Sequence, residues 1–356
     1  SAGNGVTFVV PGVPESNDAY HVLPGGLRPL KDRRVSGGTR VTLDEFSLTA
    51  LVLLTQDALV YQSLSQRAEL IGARAAQLAR ELAGAKLQQV ERIEGQLAAE
   101  IGRAAAEDRW LSDARQTLQS CAGAAASRDY RTAYLGAERA MRPLRLLERQ
   151  RWQAAIAGLS RPVASPLAVC FATLPCHGRL LKRIGQSSLG EDRLTGGDFE
   201  ELGRTLQSGW RHFQHPTAGI TTEAGLAPAA AHDGQYGLRL SALPADPNRA
   251  AVLAESPPVW ITSPEVPVRQ GELLSIQGWV QIPSPITGSV DGLLIADSYT
   301  GETLAERIGE TTGWQPFTLY RVAPESGTLT VSFALSGFGE VWLDDIRICP
   351  IENRQP

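Results

Sequence analysis

The 356 residues predict a multidomain α+β protein: a small antiparallel β-domain, an α-helical bundle or hairpin, and a C-terminal β-sandwich of the jelly-roll kind. Three observations carry that expectation. The apolar period changes along the chain, from short runs between Gly and Pro, to three- and four-residue spacing, to alternation. Charge is segregated: residues 1–57 hold 5 basic and 6 acidic groups (net −1), residues 58–189 hold 19 and 11 (net +8), and residues 190–356 hold 10 and 21 (net −11). Five of the 7 tryptophans follow residue 200. The expected domains are therefore 1–57, 58–189 and 190–356. The formal net charge of −4 argues against a generally basic nucleic-acid binder, and 43% hydrophobic residues argue against wholesale disorder. No stretch approaches the roughly 18 apolar residues of a membrane span.

In residues 1–57, strands are expected at Val6–Val10, Ala19–Leu23, Arg40–Leu43 and Leu48–Leu54, each punctuated by Gly or Pro. The last run is apolar throughout, which predicts burial on both faces. A strand so close to Ser1 suggests that the chain is part of something longer.

From Ala58 the pattern is helical. Leu64, Ala68, Ile71, Ala75, Leu78 and Leu82 form one apolar stripe, expected to face a bundle core. Gly84 is a candidate interruption. Val90, Leu97, Ala104, Leu111 and Leu118 recur every seven residues, a second stripe expected on one long helix. Either stripe also suits an oligomerisation surface. Ser127, Arg128 and Asp129 offer cap chemistry for a third helix from Tyr130, in which Pro143 should introduce a kink or a break. A Pro-containing connection follows at Ser160–Pro166, then a shorter helix over Pro175–Ile184. The 4 cysteines (Cys121, Cys170, Cys176, Cys349) are too few for a disulfide scaffold; Cys170 and Cys176 are close enough to pair, or to stay free, and no second ligand pair supports zinc.

Beyond Gly190, alternation marks strands at Gly237–Ala242, Leu273–Ile282, Gly292–Asp297, Trp314–Val322, Leu329–Leu335 and Glu340–Ile348. In the second of these, Leu274, Ile276 and Val280 share one face, and Ser275, Gln277, Trp279 and Gln281 the other. A tryptophan between amides on a polar face suits a sugar: the ring stacks on a pyranose while the amides bond its hydroxyls. The same parity puts Tyr320 opposite Phe317 and Leu319, and Arg239 opposite Leu238 and Leu240. The expected ligand residues are Trp279, Gln277, Gln281, Tyr320 and Arg239. The alternative is that Trp279 packs beneath a loop or against the neighbouring domain; Trp314 and Trp342 are expected in the core or at its rim.

Motifs at both ends of this region carry a family resemblance. Gly196, Gly197, Asp198, Phe199 and Glu200 lead to Gly209 and Trp210; Val341, Trp342, Leu343, Asp344, Asp345 and Ile346 close the region; His232 to Leu240, Ile276 to Val280, and Gly313 to Phe317 lie between. Their order resembles the jelly-roll carbohydrate-binding modules of the family 4/9/22 type. The resemblance implies polysaccharide as partner, an extracellular or cell-surface location, and a structural calcium ion joining the first strand to the last, held by Glu200, by Asp344 or Asp345, and by Asp233 as a further ligand. Adjacent Asp344 and Asp345 should point to opposite faces, so that only one ligates. Gly37 to Leu43 and Thr49 to Thr55 loosely resemble the β-domain that follows a glycoside-hydrolase barrel, which implies a catalytic barrel upstream.

Within these residues no carboxylate pair stands out, no Gly-x-Ser-x-Gly elbow accompanies the 5 histidines, and phosphate-loop and dinucleotide motifs are missing. The expected function is thus a non-catalytic, polysaccharide-binding portion of a secreted glycoside-hydrolase-like protein. The rival is a structural or assembly protein whose helices and jelly roll mediate protein contacts, with homo-oligomers as one form.

Overall fold

In a computed structural model, residues 3–12, 17–101, 105–159, 161–215, 219–246 and 256–353 are described. The chain divides into two compact units, Ser1–Gln153 and Ala154–Pro356. The β-segment 1–57 thus shares a unit with three helices, and the division falls in the last turn of the third.

The first unit begins with strands β1 (Gly3–Val10), β2 (Asp18–Leu23), β3 (Gly26–Pro29), β4 (Lys31–Val35), β5 (Gly38–Phe46) and β6 (Leu51–Thr55). They form two antiparallel three-stranded sheets, β1-β5-β4 and β3-β2-β6. Strand β4 is Lys-Asp-Arg-Arg-Val, four exposed residues of which are charged, which is why apolar alternation does not reveal it. Strand β6 departs from its expected burial on both faces. It is an edge strand, with Leu51 66% exposed and the rest half-buried.

Helices α1 (Ala58–Ile101), α2 (Ala105–Ala126) and α3 (Tyr130–Ile156) complete this unit. Gly84 does not interrupt α1, and Pro143 does not break α3. Asp129 caps α3 as expected, its Oδ1 accepting from Thr132 N at 3.1 Å. The seven-residue stripe does not lie on one helix. Val90 and Leu97 are in α1, Leu111 and Leu118 in α2, and Ala104 lies outside the described residues. The two helices fold back on each other, with Arg115 Nε 2.7 Å from Glu91 Oε1.

The first stripe is corrected more sharply. The face of α1 that turns inward is Ala68, Gly72, Ala76, Ala79 and Ala83, continued by Val90, Ile93 and Leu97. Ile71, Leu78 and Leu82 are 56%, 46% and 60% exposed. The cause is a close approach. The β2–β3 turn lies directly on α1, with Gly25 N donating to Ala68 O at 2.8 Å, and a Cβ on Gly72 would stand 3.0 Å from Gly25 Cα. Only alanine and glycine fit there, so the bulky residues rotate outward. A buried ion pair links α1 to α3: Arg151 Nη2 is 2.8 Å from Glu94 Oε2, and Glu94 is fully buried.

The second unit holds helix α4 (Leu174–Gly185), strand β7 (Ser187–Leu189), the short helix α5 (Leu202–Gln207), and strands β8 (Arg211–Gln214), β9 (Ile220–Ala227), β10 (Gly237–Pro244), β11 (Val259–Thr262), β12 (Val266–Val268), β13 (Leu273–Gln281), β14 (Thr287–Asp297), β15 (Glu306–Ile308), β16 (Gln315–Val322), β17 (Gly327–Leu329) and β18 (Val331–Asn353). The expected strands are all present, with the last two joined into β18. Its first half pairs with β11 and β14, and its second with β10, β13 and β7. The changeover runs through Gly337 and Gly339 at φ 104° and 151°, values that favour glycine. Two antiparallel sheets result, β8-β11-β18-β14-β15 and β9-β10-β18-β13-β16. Phe199, Trp210, Leu240, Ile276, Phe317, Phe333 and Leu343 are among the residues of the single apolar core between them.

Residues 161–194 are built into this unit. Arg321, fully buried, pairs through Nε with Asp297 Oδ2 at 2.5 Å and donates to the carbonyls of Val163 (3.2 Å), Ser165 (3.4 Å) and Leu304 (2.8 Å). Asp192 Oδ1 accepts from Leu194 N and Ile348 N, both at 3.0 Å. The four cysteines are free thiols, Cys121 and Cys349 buried, Cys170 and Cys176 exposed. No helix among the described residues is long and apolar enough to cross a membrane.

Candidate functional site

The β13 parity is as expected along the strand. Leu274, Ile276 and Val280 enter the core, and Gln277, Trp279 and Gln281 lie on the outer face of the sheet, half-buried. A bulge between Gln277 and Trp279 shifts the register. The extra residue is on β18, so alternation along β13 continues and Gly278 faces inward, where Ile346 and Phe317 leave no room for a side chain. Trp279 then stands opposite Asp344 of β18 and Pro316 of β16.

Around Trp279 the sheet forms a cavity of about 270 Å³ lined by Gln277, Gly278, Trp279, Pro316, Phe317, Thr318, Asp345 and Arg347. Two of the five expected ligand residues thus come together. Gln281 pairs with Trp342 one row away, and Tyr320 pairs with Ser275 on the other side. Arg239 shares the face but is engaged. It pairs with Trp342 in register and forms ion pairs with Glu340 and, at 3.3 Å, with Glu223. The Arg239 guanidinium hydrogen bond holds the Glu340 carboxyl below its ordinary range.

Trp279 is not a bare platform. The His232 ring stacks on it, centroids 4.0 Å apart and planes 16° from parallel, and Trp314 meets the His232 ring edge-on at 5.3 Å. Sequence reasoning placed His232 only within a family motif and Trp314 in the core or at its rim. The signal for His232 lies in its successors, since the loop it opens consists of five amides, each donating to a carboxylate.

These are the carboxylates expected to hold calcium. Asp344 Oδ2 accepts from His232 N at 2.7 Å and Asp233 N at 3.2 Å, and its Oδ1 accepts from Asp345 N at 2.8 Å. Asp233 Oδ1 accepts from Gly234 N at 2.9 Å. Glu200 accepts from Gln235 N at 3.0 Å through both oxygens and from Tyr236 N at 3.3 Å. Glu200 and Asp344 therefore tie the first motif and the last strand to one loop by accepting backbone hydrogens. Among the described residues, no group of three or more His, Cys, Asp or Glu side chains is arranged to hold a cation. Burial pushes the Asp344 carboxyl up, against the pull of its three amide donors.

Asp344 and Asp345 do not serve opposite faces. Asp345 has φ 52°, which interrupts the alternation, and its Oδ2 lies 3.4 Å from His232 Nδ1 while Asp344 holds the His232 backbone. Both act on the residue that covers Trp279.

No protein-family model matches the chain, nor does any curated protein sequence. Solved structures similar to it include a CBM4 domain (14% identity, TM-score 0.33, 44% of this chain and 99% of that one) and the CBM22-1 xylan-binding domain of Paenibacillus barcinonensis Xyn10C (16%, 0.30, 46% and 96%). A third is TmCBM61 in complex with β-1,4-galactotriose (17%, 0.29, 45% and 98%).

Proposed function

We propose that the second unit binds a polysaccharide on the outer face of the β9-β10-β18-β13-β16 sheet, at the cavity beside Trp279. The observation that supports this is the His232–Trp279 stack, an aromatic wall flanked by the amide of Gln277, the hydroxyl of Thr318 and the charged ends of Asp345 and Arg347. Apolar ring contact with surrounding hydrogen-bonding groups is the chemistry a pyranose presents to a protein. Because His232 covers one ring face, the sugar meets the edge and remaining face of Trp279, and Gln281, Tyr320 and Arg239 serve neighbouring units of an extended chain. Binding is then weak per sugar and favours chains over monosaccharides.

On this reading the chain works as an accessory part of an extracellular glycoside-hydrolase-like protein, and the polysaccharide lies outside the cell. Affinity electrophoresis through gels containing neutral or acidic polysaccharides tests the binding. Retardation of the wild type is expected, with loss of retardation in Trp279→Ala at an unchanged circular dichroism spectrum. Mobility of the wild type unchanged in every gel, or equal retardation of Trp279→Ala, refutes the assignment.

A further inference from the structure

The outward stripe of α1 is half-buried to exposed among the described residues and has the spacing of a helix–helix seam. Val60, Leu64, Ile71, Ala75, Leu78 and Leu82 are separated by 4, 7, 4, 3 and 4 residues. That places them on one side of the helix over roughly 33 Å at 1.5 Å per residue. Leu64 and Ala75 are half-buried; Val60, Ile71, Leu78 and Leu82 are 39%, 56%, 46% and 60% exposed. Scattered exposed leucines need no explanation, but a continuous row beside an alanine-lined inner face does.

We propose that this stripe is the interface between two copies of the chain, packed as antiparallel α1 helices. Four of its six residues are self-complementary about a two-fold axis near Ala73. Leu64 of one copy then faces Leu82 of the other and Ile71 faces Ala75, so that large residues meet at the ends and Ile71 lies over the small Ala75 at the centre; Leu78 and Val60 fall level with Ala68 and Lys86. Charge agrees with this direction. Arg67, Arg74 and Glu81 follow the solvent side of the stripe at seven-residue spacing. The same axis brings Arg67 of each copy near Glu81 of the other. Arg67 and Glu81 are exposed, and neither has an ion pair among the described residues; Glu81 accepts only from Gln77 Nε2, at 2.8 Å. The two Arg74 side chains meet near the axis, each already donating to its own Gln77 at 3.2 Å. A parallel pair would instead set Arg67 beside Arg67.

Sedimentation velocity of the whole chain from about 1 to about 100 µM, spanning micromolar dissociation constants, tests the proposal. The 38.2 kDa chain should approach twice that mass at the upper end. Ile71→Glu with Leu78→Glu should hold it at the single-chain mass with an unchanged melting temperature, because neither residue is buried in its own unit. Arg67→Glu should weaken association at least about tenfold by placing like charges together, and Arg67→Glu with Glu81→Arg should restore it. A single-chain mass throughout, or a dimer indifferent to the double glutamate variant, overturns the interface. Failure of the charge reversal to restore association overturns the antiparallel arrangement. Polysaccharide retardation is read in a separate gel, so loss of one does not imply loss of the other.

Discussion

The two units solve the same packing problem with opposite materials. The sandwich fills its core with Phe199, Phe317, Phe333 and a layer of Leu, Ile and Val contributed by both sheets. The helical unit buries large residues at one end, Val90, Leu97, Leu111, Leu144 and Leu147, but in the first half of α1 and opposite it buries Ala68, Ala76, Ala79, Ala83, Ala133 and Ala137 and leaves Ile71, Leu78 and Leu82 in solvent. Sheets about 10 Å apart need long side chains to meet in the middle, whereas a turn backbone resting on a helix needs almost none. Apolar periodicity reports that a face exists; side-chain volume decides which face can be approached closely.

The largest effect that would sharpen this comparison concerns the two buried ion pairs. Arg321→Met leaves Asp297 uncompensated in the sandwich and should cost about 3–5 kcal/mol, seen by calorimetry as a lowered transition of the second unit alone. Arg151→Met should do the same to the first unit through Glu94. If either substitution moved both transitions equally, the units would not be separate folding entities. Replacing Arg321 and Asp297 together by apolar residues should cost less than Arg321→Met, since no lone charge remains.

Acid should separate the units as well. Burial alone would raise the Asp297 carboxyl, but Arg321 and the Thr300 hydroxyl and amide overcome it and hold the carboxyl below its ordinary range. A depressed folded value contributes stability that is present above the unfolded carboxylate value, near 4, and is lost as pH falls through the folded value. The sandwich should therefore lose stability as pH drops below about 4. Arg321→Met removes that stabilisation at neutral pH, so the loss on acidification that comes from Asp297 should be smaller in the variant than in the wild type.

Gly72→Leu tests the alanine-lined face. Its side chain meets the Gly25 backbone, which cannot retreat without moving the β2–β3 turn, and a loss of about 1–3 kcal/mol in the first unit is expected. Leu78→Ala, by contrast, should change the stability of a dilute sample by less than about 0.5 kcal/mol. Equal effects would mean that the faces of α1 are reversed.

The smallest expected effect lies at the carboxylates expected to hold calcium. Glu200→Gln, which weakens two charge-assisted bonds to the 232–236 loop, should lower the melting temperature of the second unit by a few degrees. Calcium held there would add stability that chelation removes from the wild type but not from Glu200→Gln, and a wild-type melting temperature unchanged on chelation overturns the ion.

How much of this was legible depends on whether a residue's neighbours are local. Strand parity placed Leu274, Ile276, Phe317 and Leu319 in the core, and Trp279 and Tyr320 on the outer face, because alternation is a property of the strand itself. The Asp129 cap was equally local. The bulge at Gln277 and the turn of φ at Asp345 were not legible, since both depend on what the neighbouring strand does. They are what bring Asp344 and Asp345 to the same histidine, whereas Gln277 and Trp279 share a face by alternation alone. The outward leucines of α1 were misread for a related reason: the obstacle, Gly25, is 47 positions from Gly72 in sequence.

Strand β18 has a further consequence for synthesis. It is the central strand of both sheets, yet it follows β8 to β16, which it organises, in the order of translation. Until Val331 and the residues after it leave the ribosome, β10, β11, β13 and β14 each have a hydrogen-bonding edge with no native neighbour. Unpaired edges of this kind pair with other chains, so the nascent sandwich is most prone to aggregation just before its last strand arrives. A ribosome pause before β18 would prolong that exposure, and fast elongation through residues 331–350 would shorten it.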